Sequence, residues 1–390
     1  MPSSAQRSRS ELHWGVIGLG NIANDFVLAM AYCRHPNKVV AVSTSDSVER
    51  AHKFKQSVGL NSEEIKAYGN YEDLLRDPDV DIVYIATINS THLPIIISAL
   101  EHGKSVLCEK PMVLSSAEVS TVQMVQKTIN QKEGRKLFVM EGFWSCLFPS
   151  WQKIREVVRN GQMGDPKVVM VDFSQELPNK RRDLSIGVCP LMDIGCYSVT
   201  FATFLFEGKK VVDVKAVGEK DEKGGGHAIC YYNGLISTNS TASVTLEMGN
   251  LELPERFWAS TELRSREELQ PNRRIEWQSE HFPFPESKGL FGLENPGDFV
   301  FHNSCGLNYE ADHVWECIEK ERTESDVMGL DESLKIASIL ERAREQIGVE
   351  IEIQSQVDLS KYQNKYSMKT YKFYSFLSLP FQRLRMYTNI

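Results

Sequence analysis

The chain has 390 residues, 42% hydrophobic and 25% charged, which is long enough for two cores and typical of a globular protein. Its 52 acidic against 44 basic residues leave a net charge of −8, which argues against a partner held on a basic surface, nucleic acid above all. No apolar run approaches the ~20 residues of a membrane span. The Ser- and Arg-containing start, Met1 to Arg9, lacks an apolar core, and eight scattered cysteines read as free thiols in a reducing, cytoplasmic compartment.

Taken in order, Trp14-Gly15-Val16-Ile17 reads as a short strand that runs into Gly18-Leu19-Gly20-Asn21-Ile22-Ala23. This is the G-x-G-x-x-A form of a dinucleotide fingerprint. The first glycine permits a tight turn, the second lets the backbone approach a pyrophosphate, and the small Ala23 lets helix meet strand. The helix that follows, from about Asn21 to Arg34, aims its positive N-terminus at the phosphates. A second strand, Val39 to Val42, ends in Ser43-Thr44-Ser45-Asp46. An acid at this distance from the glycines favours NAD and an arginine favours NADP. Here three hydroxyls offer themselves, with Arg50 on the next helix as a counter-charge, while Asp46 is also a candidate cap for that helix. The choice between NADP and NAD stays open on this stretch.

The βα alternation continues. Asp81 to Thr87 is a near-continuous apolar run, as in a buried parallel strand, and the loop Ile88-Asn89-Ser90-Thr91-His92 leaves its carboxyl end. Ser105-Val106-Leu107 is another strand, and it delivers Cys108-Glu109-Lys110-Pro111 to the sheet edge where open α/β folds bind ligands. Ser115 and Glu118 have the spacing of a capping box. Lys136 to Glu141 closes a dinucleotide-binding domain over 11–141, an open, doubly wound parallel sheet. Thr87, Asn89, His92, Glu109 and Lys110 join Gly18, Gly20, Asn21, Ile22, Ser43, Thr44 and Ser45 as candidate coenzyme contacts.

After Gly142 the pattern changes to helix, strands and helix. β-prone runs at Lys167 to Phe173, Val211 to Val217, His227 to Tyr232, Gly234 to Leu246 and Phe257 to Thr261 imply an α+β domain over 142–352 with an open, mostly antiparallel sheet. Leu334 to Ile347 is an amphipathic helix. From 353 to 390 the chain is aromatic and basic and reads as a poorly ordered extension, with a segment that lies on a membrane surface or a partner as the alternative.

Oxidising a carbinol requires a proton acceptor near the hydroxyl together with a cation that favours its ionised form. Asp193 and Tyr197, at i and i+4, share a helix face, so Tyr197 can be the phenol, Lys110 the cation that lowers its pKa, and Asp193 and His92 the orienting groups. A tyrosine on an amphipathic helix more often packs than reacts. A lysine at a buried strand end is harder to dismiss, because its charge is costly there unless used. Trp144, Phe148 and Trp151 are either pocket walls or core. With no H-E-x-x-H, no paired C-x-x-C and no acidic calcium loop, no metal site is expected, and His313 and Cys317 share a helix face without further ligands nearby.

Together the fingerprint, Ala67-Tyr68-Gly69-Asn70-Tyr71-Glu72-Asp73-Leu74, Val106 to Met112, Met140-Glu141-Gly142-Phe143-Trp144 and Asp193-Ile194-Gly195-Cys196-Tyr197 resemble the glucose–fructose oxidoreductase / inositol dehydrogenase family, in its dihydrodiol dehydrogenase branch, over roughly Leu12 to Val349. The resemblance implies a Rossmann domain, a C-terminal domain whose open sheet makes a homodimer, and NADP. It also makes Lys110 the catalytic lysine and Asp193 the site aspartate. Tyr197 stands where many members carry histidine and this branch carries tyrosine, and His92 matches a coenzyme-site histidine. Two departures stand out: the branch's arginine near Ser45 is absent, and the approach to the aspartate reads Gly187-Val188-Cys189-Pro190. The expected activity is an NADP-dependent dehydrogenase acting on a CH–OH of a cyclic trans-dihydrodiol or a sugar such as D-xylose. A silent NAD(P)-binding sensor of the same fold is the rival.

Overall fold

The computed structural model describes residues 11–162, 166, 169, 171–173, 183–220, 226–231, 235–238, 251–252, 257–265, 278–287, 298–351, 357 and 359–362. The chain forms two compact units, 1–357 and 358–390. The described part of the second is one short turn, Ser360–Tyr362; the aromatic and basic run beyond it lies outside the described residues.

Six strands form the first sheet: β1 (Leu12–Ile17), β2 (Asn37–Ser43), β3 (Lys66–Tyr68), β4 (Ile82–Ile85), β5 (Ser105–Glu109) and β6 (Val139–Gly142). They are all parallel, in the order β3-β2-β1-β4-β5-β6. Strands β4 and β5 are buried throughout, as the apolar run of β4 and the Val106-Leu107-Cys108 centre of β5 require of strands covered on both faces. The order reverses between β1 and β4, which opens a crevice at the strands' carboxyl ends. Five helices connect them: α1 (Asn21–Ala29), α2 (Val48–Ser57), α3 (Tyr71–Arg76), α4 (His92–Glu101) and α5 (Ser116–Glu133). Helix α1 is shorter than its apolar spacing predicts and passes into a 3-10 turn at Met30–Tyr32.

Caps mark the helix starts. Ser115 caps α5 by accepting from the Glu118 N–H, and the Glu118 carboxylate reaches back to the Leu114 N–H at 2.8 Å. Ser47, not Asp46, caps α2. Asp46 instead pairs with Arg50 at 2.8 Å on the exposed surface, so the capping expectation for it is corrected.

The second half opens with α6 (Pro149–Arg159) and β7 (Val171–Phe173). A π-helical turn, Leu191–Gly195, then runs directly into α7 (Cys196–Leu205). Strands β8 (Lys215–Lys220), β9 (Gly226–Tyr231) and β10 (Leu235–Thr238) complete a sheet of order β7-β10-β9-β8, antiparallel except for β7 beside β10. A smaller antiparallel sheet holds β11 (Leu251–Glu252), β12 (Glu262–Ser265) and β13 (Gln278–His281). Helices α8 (Leu307–Glu319) and α9 (Leu330–Gln346) follow, and α9 packs on both α5 and α7, tying the halves together.

Two strand expectations shift. The run Val211 to Val217 becomes strand only at Lys215, and Phe257–Ala259 is a 3-10 turn ahead of β12. Residues 239–246 of the expected Gly234 to Leu246 strand, and 167–168 and 170 of the run ending in β7, lie outside the described residues. Among the described residues, no helix is long and apolar enough to cross a membrane.

Candidate active site

Strand β1 ends in a turn that only glycine fits. Gly18 has φ +85°, and a Cβ there would lie 2.7 Å from the Ala86 carbonyl oxygen. At Gly20 a Cβ would meet nothing within 4 Å, so the second glycine faces open space. Gly20 is also the N-cap of α1, whose first N–H groups receive no side-chain cap. An open cradle over uncapped amides at a helix N-terminus has the shape and partial charge a pyrophosphate needs. Asn21 begins the helix, and Ile22 turns into the adjoining cavity.

That cavity, of about 370 Å³, gathers Thr87, Asn89, His92, Glu109 and Lys110 from the first half with Asp193 and Tyr197 from the second. Lys110 leaves the end of β5 beside a cis Lys110–Pro111 peptide. Its ammonium donates to the Asp193 carboxylate Oδ1 at 3.0 Å and to the Asp193 carbonyl at 2.8 Å. It also lies over the Tyr197 ring, 4.6 Å from the centroid. Both charged side chains are 11% exposed, so the pair is largely desolvated. The π-helical turn that carries Asp193 is an irregularity often found at functional positions, and it delivers aspartate and tyrosine to the same cation.

The Tyr197 hydroxyl oxygen accepts from Trp144 Nε1 at 3.2 Å. Burial raises the phenol above its ordinary range, with Lys110 and the Trp144 bond pulling the other way. The expectation that Lys110 lowers this phenol therefore holds in sign, but burial outweighs it, and Tyr197 stands as a neutral hydroxyl. Trp144 occupies one of its acceptor positions, which leaves the phenolic proton for another partner.

Behind Lys110 lies a row of buried acids. Glu109 accepts from the Lys110 N–H at 3.2 Å and from the Tyr84 hydroxyl, and Glu141 accepts from the Met112 N–H at 2.8 Å. Burial lifts Glu141 to about 7. Glu310 lies beyond Gly142 with neither oxygen hydrogen-bonded among the described residues; burial first, then Glu109, push it well up, so it is held as the neutral acid. Glu109 and Glu141 fix the backbone on both sides of Lys110.

His92 lines the cavity, and its Nδ1 faces the Pro111 and Met112 carbonyls and its Nε2 the Thr87 carbonyl, all at 3.2 Å. Burial keeps the imidazole below its ordinary range against the pull of those carbonyls. A neutral imidazole carries one N–H, so His92 donates either to the Pro111 and Met112 carbonyls or to the Thr87 carbonyl, at the join between the Lys110 loop and the loop after β4.

The hydroxyl trio at the end of β2 is likewise divided. Ser43 donates to the Asn70 carbonyl at 2.7 Å and Thr44 to the Ser47 carbonyl at 2.6 Å, and both are buried. Ser45 remains exposed, near Tyr71 and the Asp46–Arg50 pair. Of the aromatics, Trp144 lines the cavity while Phe148 and Trp151 are core. Cys189 and Cys196 are buried thiols that burial raises to about 11 and about 12, as packing residues would be. The cavity wall also includes Phe173, Trp258, Phe301 and His302, none of which the sequence singled out. Elsewhere, His313, Cys317 and Asp326 converge, with Asp326 the additional ligand type. Their atoms already serve other partners: His313 bonds Ser325 at 2.7 Å, and Asp326 pairs with Arg322 at 2.5 Å.

The chain matches two family models: "Oxidoreductase family, NAD-binding Rossmann fold" over residues 12–141 and "GFO/IDH/MocA C-terminal domain" over residues 151–272. It belongs to the GFO/IDH/MocA oxidoreductase family. Human trans-1,2-dihydrobenzene-1,2-diol dehydrogenase is 33% identical over 354 residues, covering 87% of this chain and 97% of the relative. Solved structures share the fold, two of them as follows. One is levoglucosan dehydrogenase, in complex with NADH and levoglucosan (TM-score 0.68, 18% identity, 87% of this chain and 97% of that one). The other is a 3-ketoreductase from Actinomadura kijaniata, in complex with NADP and TDP-benzene (TM-score 0.62, 19% identity, 86% and 98%). This chain is thus an oxidoreductase of a nicotinamide-binding family, with a Rossmann sheet and a C-terminal α+β part.

Proposed function

We propose that the protein is an NADP-dependent dehydrogenase that oxidises a CH–OH of a cyclic trans-dihydrodiol or of a sugar such as D-xylose. Residues 11–141 would bind coenzyme, and 142–352 would bind substrate and form a homodimer. The observation that carries this is the meeting of Lys110, Asp193 and Tyr197 in one desolvated cluster at the carboxyl edge of a dinucleotide-type sheet. Bound NADP supplies the hydride acceptor. Gly18, Gly20, Asn21 and Ile22 would hold its pyrophosphate, and Thr87, Asn89, Glu109 and Lys110 its nicotinamide end. Support for NADP over NAD is that no acid stands free at the end of β2: Asp46 is tied to Arg50, and that guanidinium, 63% exposed, can turn to a 2′-phosphate beside Ser45.

Lys110, Asp193 and Tyr197 handle the proton. Tyr197, neutral and with its oxygen held by Trp144, donates its proton to the substrate oxygen and so fixes that oxygen at the cluster. In the reducing direction the same proton passes to the carbonyl. In the oxidising direction Tyr197 would first release its own proton to solvent, an ionisation that Lys110 favours and burial opposes, and the phenolate would then accept the hydroxyl proton as the hydride leaves. Asp193 keeps the ammonium in place from two oxygens. Aromatic walls from Trp144, Phe173 and Trp258 suit the apolar face of a carbocycle better than a free aldose, whose every hydroxyl asks for a partner. The free thiols among the described residues support a cytoplasmic setting.

Initial rates of nicotinamide reduction, with NADP⁺ and NAD⁺ against trans-1,2-dihydrobenzene-1,2-diol and D-xylose, test this reading. Turnover of the diol with a preference for NADP⁺ is expected. Saturable coenzyme binding with no turnover of either substrate would overturn it in favour of a sensor.

A further inference from the structure

Asp25 on α1 is completely buried, yet four donors converge on its carboxylate. Oδ1 accepts from Asn24 Nδ2 at 3.0 Å and from the Val300 N–H at 2.8 Å. Oδ2 accepts from the Phe301 N–H at 2.8 Å and from the Ser304 hydroxyl. Two donors on each oxygen fill the acceptor capacity of a carboxylate. Three of the four come from a segment some 275 residues away in sequence, so the helix that opens at the fingerprint holds a strap from the far half of the chain.

The strap is tied at its other side as well. Asn303, in the left-handed region at φ 59°, donates from Nδ2 to the Ala259 carbonyl at 2.8 Å, next to the wall residue Trp258. Between these anchors, Phe301 and His302 line the cavity that holds Lys110, Asp193 and Tyr197. Phe301 extends the aromatic wall. His302 is exposed and brings an imidazole to the cavity lining, which also includes Phe301, Trp258 and Leu307.

We infer that His302 recognises a second polar group of the substrate, the hydroxyl that does not react, and that Asp25 is a positioning residue that sets His302 from the coenzyme helix. The inference rests on the proposed diol chemistry. The reacting oxygen is taken by Tyr197 and Lys110, and a vicinal partner must hydrogen-bond elsewhere or lose its water without compensation. The imidazole can donate to or accept from that hydroxyl. Its backbone follows directly on the two N–H groups that Asp25 fixes.

The test compares kcat/KM for trans-cyclohexane-1,2-diol with that for cyclohexanol, at saturating NADP⁺, in wild type, His302→Ala, His302→Gln, Asp25→Ala and the double variant Asp25→Ala/His302→Ala. We expect H302A to reduce the diol-over-alcohol preference about tenfold, as the loss of one hydrogen bond implies. The change should fall on KM rather than kcat, and H302Q, which keeps donor and acceptor, should restore most of it. D25A should reduce the same preference, and the double variant should lose little more than either alone, because both act through one group. An unchanged preference in H302A, or losses that multiply in the double variant, overturns the inference while leaving the dehydrogenase reading intact. A wild type that oxidises neither compound nor any dihydrodiol overturns the dehydrogenase reading and this inference with it.

Discussion

Replacing Lys110 by methionine separates the chemistry of the site from its architecture. Methionine keeps the length and apolar stem of lysine but deletes the charge that Asp193 holds at 3.0 Å. The aspartate then stays at 11% exposure without that cation, and breaking such a pair from one side costs about 3 kcal/mol or more of folding stability. The cation over the Tyr197 ring also disappears, so the phenol rises further and the oxidising direction loses its proton acceptor. Removal of an acid–base group lowers turnover by roughly 10²- to 10⁴-fold. The two losses part in the double variant Lys110→Met/Asp193→Asn, where both partners are neutral. Stability should return to within about 1 kcal/mol of wild type, since replacing a buried pair is far milder than orphaning one member. Activity should stay down by the full factor. Urea midpoints and initial rates of nicotinamide reduction read the two quantities. Activity within about threefold of wild type in K110M, well short of the ~100-fold expected of an acid–base residue, would refute the reasoning. So would recovery of activity along with stability in the double variant.

Three further outcomes follow from the same geometry. Trp144→Phe removes the donor to the Tyr197 hydroxyl and should lower kcat about fivefold, the worth of one ordinary hydrogen bond, with the circular dichroism spectrum unchanged. Gly20→Ala should keep the melting temperature of the apo protein, because a Cβ there meets nothing, yet reduce the thermal shift given by NADP⁺; Gly18→Ala should lower the apo melting temperature itself, because of its φ and the Ala86 carbonyl. Glu141→Gln should stabilise the protein at pH 8. Burial raises this carboxyl from 4.5 to about 7, so the folded state favours its protonated form, and the associated stability is complete below pH 4.5 and lost as pH rises through about 7. The 2.5-unit difference corresponds to about 3 kcal/mol at most, and the advantage of glutamine should shrink steadily as pH falls toward 4.5. An E141Q advantage independent of pH would show that the acid is not buried as described.

Much of the site was legible in the sequence because its parts sit where local patterns end. Lys110 follows an apolar strand, the glycines join a strand to a periodic helix, and Asp193 and Tyr197 are one helical turn apart; those neighbours constrain where each side chain emerges. The π-helical form of that turn carried no signal, since its composition is that of an ordinary helix. Ser43 and Thr44 looked available because sequence shows hydroxyls but not the carbonyls that capture them. His92 lines the expected cavity, but the carbonyls around its ring had no sequence signal, because they belong to residues 87, 111 and 112. Trp258, Phe301 and His302 come from segments with no periodicity of their own, and the buried Asp25, five residues past Gly20, ties one of those segments to the fingerprint.

A crystal structure of the full chain with bound NADP⁺ tests the central claim most directly. The nicotinamide ring should enter the cavity beside Lys110 and Tyr197, with its C4 facing a space within ~3.5 Å reach of a carbinol hydrogen-bonded to the Tyr197 hydroxyl. A nicotinamide seated outside that cavity, or a closed site in which the Tyr197 hydroxyl turns away from the ring, would contradict it.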